Sequence, residues 1–122
     1  MRVSVTSFGF KHGVPRDADL VFDVRFLPNP HWEPDLRPLV GTDPAVASYV
    51  LDRPDTAEFL TQVDTMLEFL IPRFRAEGKS YLTIGIGCTG GHHRSVAIAE
   101  DLGSRLRERG VEASVRHRDV TK

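Results

Sequence analysis

The sequence is short of several things, and each shortage excludes something. It has a single cysteine, Cys88, so no disulfide framework can staple the fold, and such cysteine usage suits a reducing compartment. Acidic and basic side chains nearly cancel, 17 against 16. No overall charge points to nucleic acid, and any basic function must be local. No apolar run approaches the length needed to cross a membrane. The opening Met1-Arg2-Val3-Ser4-Val5 reads as a strand with no apolar signal core behind it, so a cytoplasmic location is expected. The pattern Gly-x-x-x-x-Gly-Lys-Ser/Thr does not occur, which removes a nucleotide P-loop of that type. Repeats and low-complexity segments are missing too, and 122 residues suit one domain with a core of its own, spanning 1–122.

What the chain does have is concentrated between Tyr81 and Ser95. Tyr81 to Ile86 is a short apolar run, Cys88 to His93 is a loop with paired glycines and paired histidines, and from Arg94 the sequence reads as a helix. Strand, glycine loop and helix N-terminus together favour an anion. Amides without helical partners point at the ligand, and the helix dipole favours negative charge. Gly90 and Gly91 let successive N–H groups form a concave nest, and Arg94 adds a planar fork suited to phosphate.

The rest of the chain frames this loop. Val3, Val5 and Ser7 alternate with polar residues and predict a first strand, followed by a glycine-flanked loop holding Lys11 and His12. Leu20 to Phe26 predicts a second strand, with Asp23 and Arg25 on one face, meeting either solvent or a polar site. Prolines at 28, 30, 34, 38 and 44 predict a stiff extended loop that either carries function through Asn29, His31, Trp32 and Arg37 or caps the core with Trp32. A short helix is expected from Pro44 to about Asp52. A longer one should open on a capping box at Asp55 and Glu58, kink or stop at Pro72 and close at Gly78. A helix from about Arg94 to Arg109 and a last strand from Val111 complete a βαβ unit over 80–118 with parallel strands. The fold class is therefore α/β, with a small mixed sheet carrying a phosphate-binding loop on its βαβ unit. Between 105 and 122, six Arg or Lys residues face three acidic ones, ending in a small basic tail with Arg116, His117, Arg118 and Lys122.

The loop also fits a second pattern: cysteine, five residues, arginine, serine. Cysteine-dependent phosphatases use that spacing, and Cys88 would then be the nucleophile, its pKa lowered by the helix N-terminus and adjacent histidines. Trp32-Glu33-Pro34-Asp35 resembles their acid loop apart from its extra glutamate. His92 and His93 lack a partner at zinc spacing, so no metal is expected, and a histidine cation helping to hold phosphate is the better reading.

With these residues in view, the sequence closely resembles the C-terminal domain of the RNase adapter protein RapZ family. The matching stretches are Ser7 to Gly13, Asp17 to Trp32, Leu36 to Pro38, Lys79 to Thr83, Ile86 to Glu100 and Arg116 to Arg118. Full-length members carry an N-terminal nucleotide-binding domain with a Walker motif, so this chain is either a freestanding form or an excised domain. The resemblance implies a fold like a subdomain of phosphofructokinase. It also implies a non-catalytic sensor of glucosamine-6-phosphate that binds small regulatory RNA, presents it to an endoribonuclease, and forms homo-oligomers, dimeric or tetrameric. No cofactor is implied. Carried over by position, the ligand site comprises Asp23, His31, Cys88, Thr89, Gly90, Gly91, His92, His93, Arg94 and Ser95. The implied RNA surface comprises Lys11, His12, Arg25, Arg37, Arg116, His117, Arg118 and Lys122. The tail stops at Lys122, short of the family's denser basic cluster, which implies fewer phosphate contacts and lower, more salt-sensitive RNA affinity.

Overall fold

The computed structural model describes residues 1–122. Four strands form one sheet: β1 (Arg2–Gly9), β2 (Leu20–Asp23), β3 (Tyr81–Cys88) and β4 (Ala113–His117), in the order β2-β3-β1-β4. Three helices connect them: α1 (Pro44–Leu51), α2 (Pro54–Glu77) and α3 (Arg94–Glu108). Short 3-10 turns follow β1 (Phe10–His12) and β2 (Pro30–Trp32). The α/β class is as expected, but the sheet is wholly parallel rather than mixed. The physical reason is that every connection is long enough to return to the sheet's starting edge, so no hairpin forms. No helix is long and apolar enough to cross a membrane.

Register explains the core. Val3 and Val5 lie beside Leu82 and Ile84, all fully or nearly buried, and they pack with Val50, Leu67, Ile98 and Leu102 from the three helices. The β3 and β4 strands are parallel as the βαβ reading requires, with β1 lying between them. The connection after β1 leads toward β2, and the one after β3 leads the opposite way toward β4. Open parallel sheets bind ligands at such reversals, beyond the carboxyl ends of the strands. Here that crevice lies past Gly9 and Cys88, which are paired in register.

Three local departures have local causes. The β2 strand stops at Asp23, because the Asp23 carboxylate accepts the Arg25 amide (2.9 Å) and turns the chain out of the sheet. The α2 helix opens on Pro54 at its first position instead of a capping box, with Asp55 left in the first turn beside the dipole's positive end. It also continues through Pro72 to Glu77, capped by Gly78 in the left-handed conformation. Pro72 and Glu68 are both exposed, so the Glu68 carbonyl, which loses its helical donor to the proline, is open to water.

Candidate phosphate-binding site

The β3 strand carries the chain to Cys88, and α3 begins at Arg94. From Thr89 through Val96 no backbone amide donates to a protein acceptor, and the first helical bond runs from Ala97 to the His93 carbonyl (3.1 Å). The carbonyls of the loop are used instead. Thr89 accepts from the Lys11 amide (3.3 Å) and His92 from the Gly41 amide (2.8 Å). Carbonyls thus brace the loop from outside while its amides stay free, as an anion-binding nest requires.

Packing beneath the loop needs two glycines. A side chain on Gly9 would lie 2.4 Å from the Gly90 carbonyl carbon, and one on Gly91 would lie 2.7 Å from the Gly9 nitrogen. Gly91 also has φ +81°, a region that side chains resist. The end of β1 therefore touches the loop backbone to backbone.

A cleft of about 420 Å³ opens over the loop, lined by Lys11, Asn29, His31, Trp32, Cys88, Thr89, Gly90, His92, His93 and Arg94. Six of the residues expected from the loop thus share a wall with His31. Gly91 and Ser95 lie buried behind it, and Asp23 stands outside, held by Arg25. Asn29, Trp32 and Lys11 also line the wall, outside the ligand set carried over from the family. Trp32 is 73% exposed, so it does not cap the core.

Arg94 is the unusual group. Only 5% exposed, it donates to the carbonyls of Arg25 (2.8 Å) and Leu27 (3.0 Å) and reaches the Thr89 hydroxyl (3.4 Å). Its Nε is buried without an acceptor. Burial pushes its pKa below the ordinary arginine value, while the charge of Asp23 works the other way. Arginine keeps its proton regardless, so the loop rests on a buried cation that no carboxylate neutralises by a direct bond.

The two histidines differ in burial and partners. His93 is buried and its Nε2 meets the Arg37 carbonyl (3.2 Å). Burial depresses its pKa, against the opposing pull of the Leu39 and Arg37 carbonyls. The shift favours the neutral imidazole, and the bond to the Arg37 carbonyl ties the proline-rich loop to the start of α3. His92 faces the cleft, with Nε2 3.1 Å from the Lys122 carbonyl.

The Cys88 thiol is 2% exposed and donates to the Ser95 hydroxyl (3.1 Å). The eight basic positions differ in exposure and in partners. Lys11 and His12 stand exposed on the turn after β1, while Arg25 is paired with Asp23. Arg37 lies beyond His31, donating to its carbonyl (2.6 Å). Arg116 is exposed on β4, in register with Thr6. His117 faces inward, 2.7 Å from both Ser7 Oγ and Glu100 Oε1. Arg118 and Lys122 are engaged by Asp119, a fully buried carboxylate that also accepts the Gly9 amide (2.8 Å). Sequence reading gave Asp119 no role, because charge counting in a basic tail cannot distinguish a buried acid from a solvated one.

Fold and site define a class: a parallel α/β domain with a glycine loop of unpaired amides at the reversal of its sheet. Comparison with known proteins makes this more particular. The family model of the RapZ C-terminal domain matches residues 1–121, and the chain belongs to that family. It is 61% identical over 124 aligned residues to a nucleotide-binding protein of Rubrobacter xylanophilus, covering 98% of this chain and 41% of that protein. A nucleotide-binding protein of Rhodospirillum rubrum is 59% identical over 98% of this chain and 38% of its own length. One of Corynebacterium aurimucosum is 55% identical over 98% and 41%. The chain therefore spans about two-fifths of the relatives it matches.

Proposed function

We propose that this domain is a non-catalytic sensor of an amino-sugar phosphate, glucosamine-6-phosphate, and an RNA-binding adapter that passes the signal to RNA decay. The observation that carries the reading is the buried Arg94 guanidinium, without a carboxylate partner, beneath a run of free amides. A phosphate monoester supplies what both lack: negative charge and several acceptor oxygens. The remaining volume and the His31, Asn29 and Trp32 wall leave room for a sugar ring. The relatives' name, nucleotide-binding protein, belongs to chains more than twice this length.

The geometry favours binding over phosphatase chemistry. The Cys88 thiol is turned toward Ser95, and the best bonds of the Arg94 fork go to two carbonyls. A nucleophile needs to face the phosphorus, and a catalytic arginine needs free donors in the transition state.

Thermal unfolding against glucosamine-6-phosphate, glucose-6-phosphate, N-acetylglucosamine-6-phosphate and inorganic phosphate tests the reading. The amino sugar is expected to stabilise most, by about 2.7 kcal/mol at a hundredfold excess over its Kd. Arg94→Ala is expected to abolish that response and to cost about 2 kcal/mol by itself, since two carbonyls lose a charged donor. A full ligand response in Arg94→Ala would remove the site from this loop.

For RNA, we propose that the cations without an acidic partner contribute most. Lys11→Ala is expected to weaken binding evenly across sequences and lower the slope of log K against log salt by about 1. Arg118→Ala should act mainly on stability, because its guanidinium is bonded to Asp119 and the Gly13 carbonyl. Filter binding at several salt concentrations separates the two, and an unchanged slope in Lys11→Ala would count against its phosphate contact.

A further inference from the structure

The cleft has no carboxylate of its own. None of the residues lining it is acidic, so it holds no anionic partner for an ammonium. The carboxylate placed to do so is Asp23. It ends β2 in register with Gly87, one residue before the cleft begins at Cys88, and its charge acts on Arg94.

Asp23 is already occupied. Arg25 grips it with two parallel bonds, Nε to Oδ1 at 2.9 Å and Nη2 to Oδ2 at 2.6 Å. The same guanidinium lies 4.0 Å over the Phe10 ring. We propose that Arg25 sets the amine selectivity of the cleft: an ammonium on the ligand must displace the Arg25 guanidinium from the Asp23 carboxylate, whereas a hydroxyl cannot. This rests on the sugar-phosphate reading above and specifies the chemistry at its second end.

Two features make the exchange feasible. Both side chains are about half exposed, 47% and 46%, and solvent-screened pairs of this kind are weak. Arg94 holds Arg25 through its backbone carbonyl, so the Arg25 side chain can swing away while the turn stays in place. Phe10 gives the displaced guanidinium an aromatic face to remain on. A neutral hydroxyl brings no charge to offset the loss of the Arg25 pair, so it leaves the pair intact.

The test is the ratio of affinities for glucosamine-6-phosphate and glucose-6-phosphate, measured by calorimetry. A ratio cancels any general loss of positive charge near the phosphate. Arg25→Ala is expected to raise the ratio about three- to fivefold, the scale of a released surface pair. Arg25→Lys, which keeps a cation but loses the fork, should raise it less. Asp23→Asn should bring it close to one. An unchanged or lowered ratio in Arg25→Ala overturns the proposal. Failure of the unaltered domain to bind either sugar phosphate overturns the parent reading instead. Binding with a ratio near one, both in the unaltered domain and in Arg25→Ala, overturns the role of Asp23 and leaves the phosphate site standing.

Discussion

Gly91→Ala is expected to lower the domain's stability by about 3 kcal/mol and its Tm by roughly 10 °C, and to abolish sugar-phosphate binding in whatever remains folded. Two costs add. The residue sits at φ +81°, and the new methyl would lie 2.7 Å from the Gly9 nitrogen and 2.9 Å from the Asp119 side chain. Neither neighbour can yield cheaply. Gly9 is strand backbone, and Asp119 is held from three sides. Gly90→Ala is the matching control, since its Cβ position meets nothing closer than 3.8 Å. That variant should fold normally and be affected only at the cleft. Chemical denaturation of both variants checks the contrast.

The second large effect is expected at Asp119. Replacement by alanine removes the acceptor of the Gly9 amide and leaves Arg118 and Lys122 facing no acid. A broken buried pair costs about 3–5 kcal/mol. The solvent access of both cations places the expected loss near the lower end, about 3 kcal/mol. The pH dependence carries the signature. Burial would raise the Asp119 pKa, but the bonds from Arg118, Gly9 and Lys122 outweigh it and hold the carboxyl well below the usual carboxylate range. The unfolded chain therefore takes up the proton first, at a pKa of about 3.9. The Asp119 contribution is complete above that value and is lost as pH falls through the acid range. Unfolding measured from pH 7 to pH 3 should show a steeper decline in the unaltered domain than in Asp119→Ala, and parallel curves would contradict this account.

These two sites also show what the sequence makes legible. The β3 strand, the glycine loop and the α3 helix could be read directly, because apolar alternation gives way to helical spacing across a pair of glycines. The cleft's main wall followed from that stretch. Other features depend on groups distant in sequence. That Gly91 must be glycine is decided by Gly9 and Asp119, and neither is its neighbour in the chain. The lowered pKa of His93 follows from burial under the loop that contains Arg37 and Leu39, whereas its sequence neighbours suggested a cation. The β2 strand was read too long because alternation continues to Phe26, while a carboxylate hydrogen bond at Asp23 ends the pairing. Pro72 was expected to kink or end the helix, which runs on to Glu77 because the proline and Glu68, whose carbonyl it orphans, are both on the solvent face. The basic positions inherited from the family separate only when their partners are visible: Arg25, Arg118 and Lys122 bond to acids, while Lys11 and Arg116 do not.

The central claim is that the free amides from Thr89 to Val96 hold the phosphate. Amide NMR shifts followed during titration with glucosamine-6-phosphate test it most directly. The account predicts that the largest changes fall on Thr89 to Val96, saturate together, and recur at the same amides with inorganic phosphate. Saturable binding that leaves these amides unmoved, with its changes elsewhere on the domain, would contradict it.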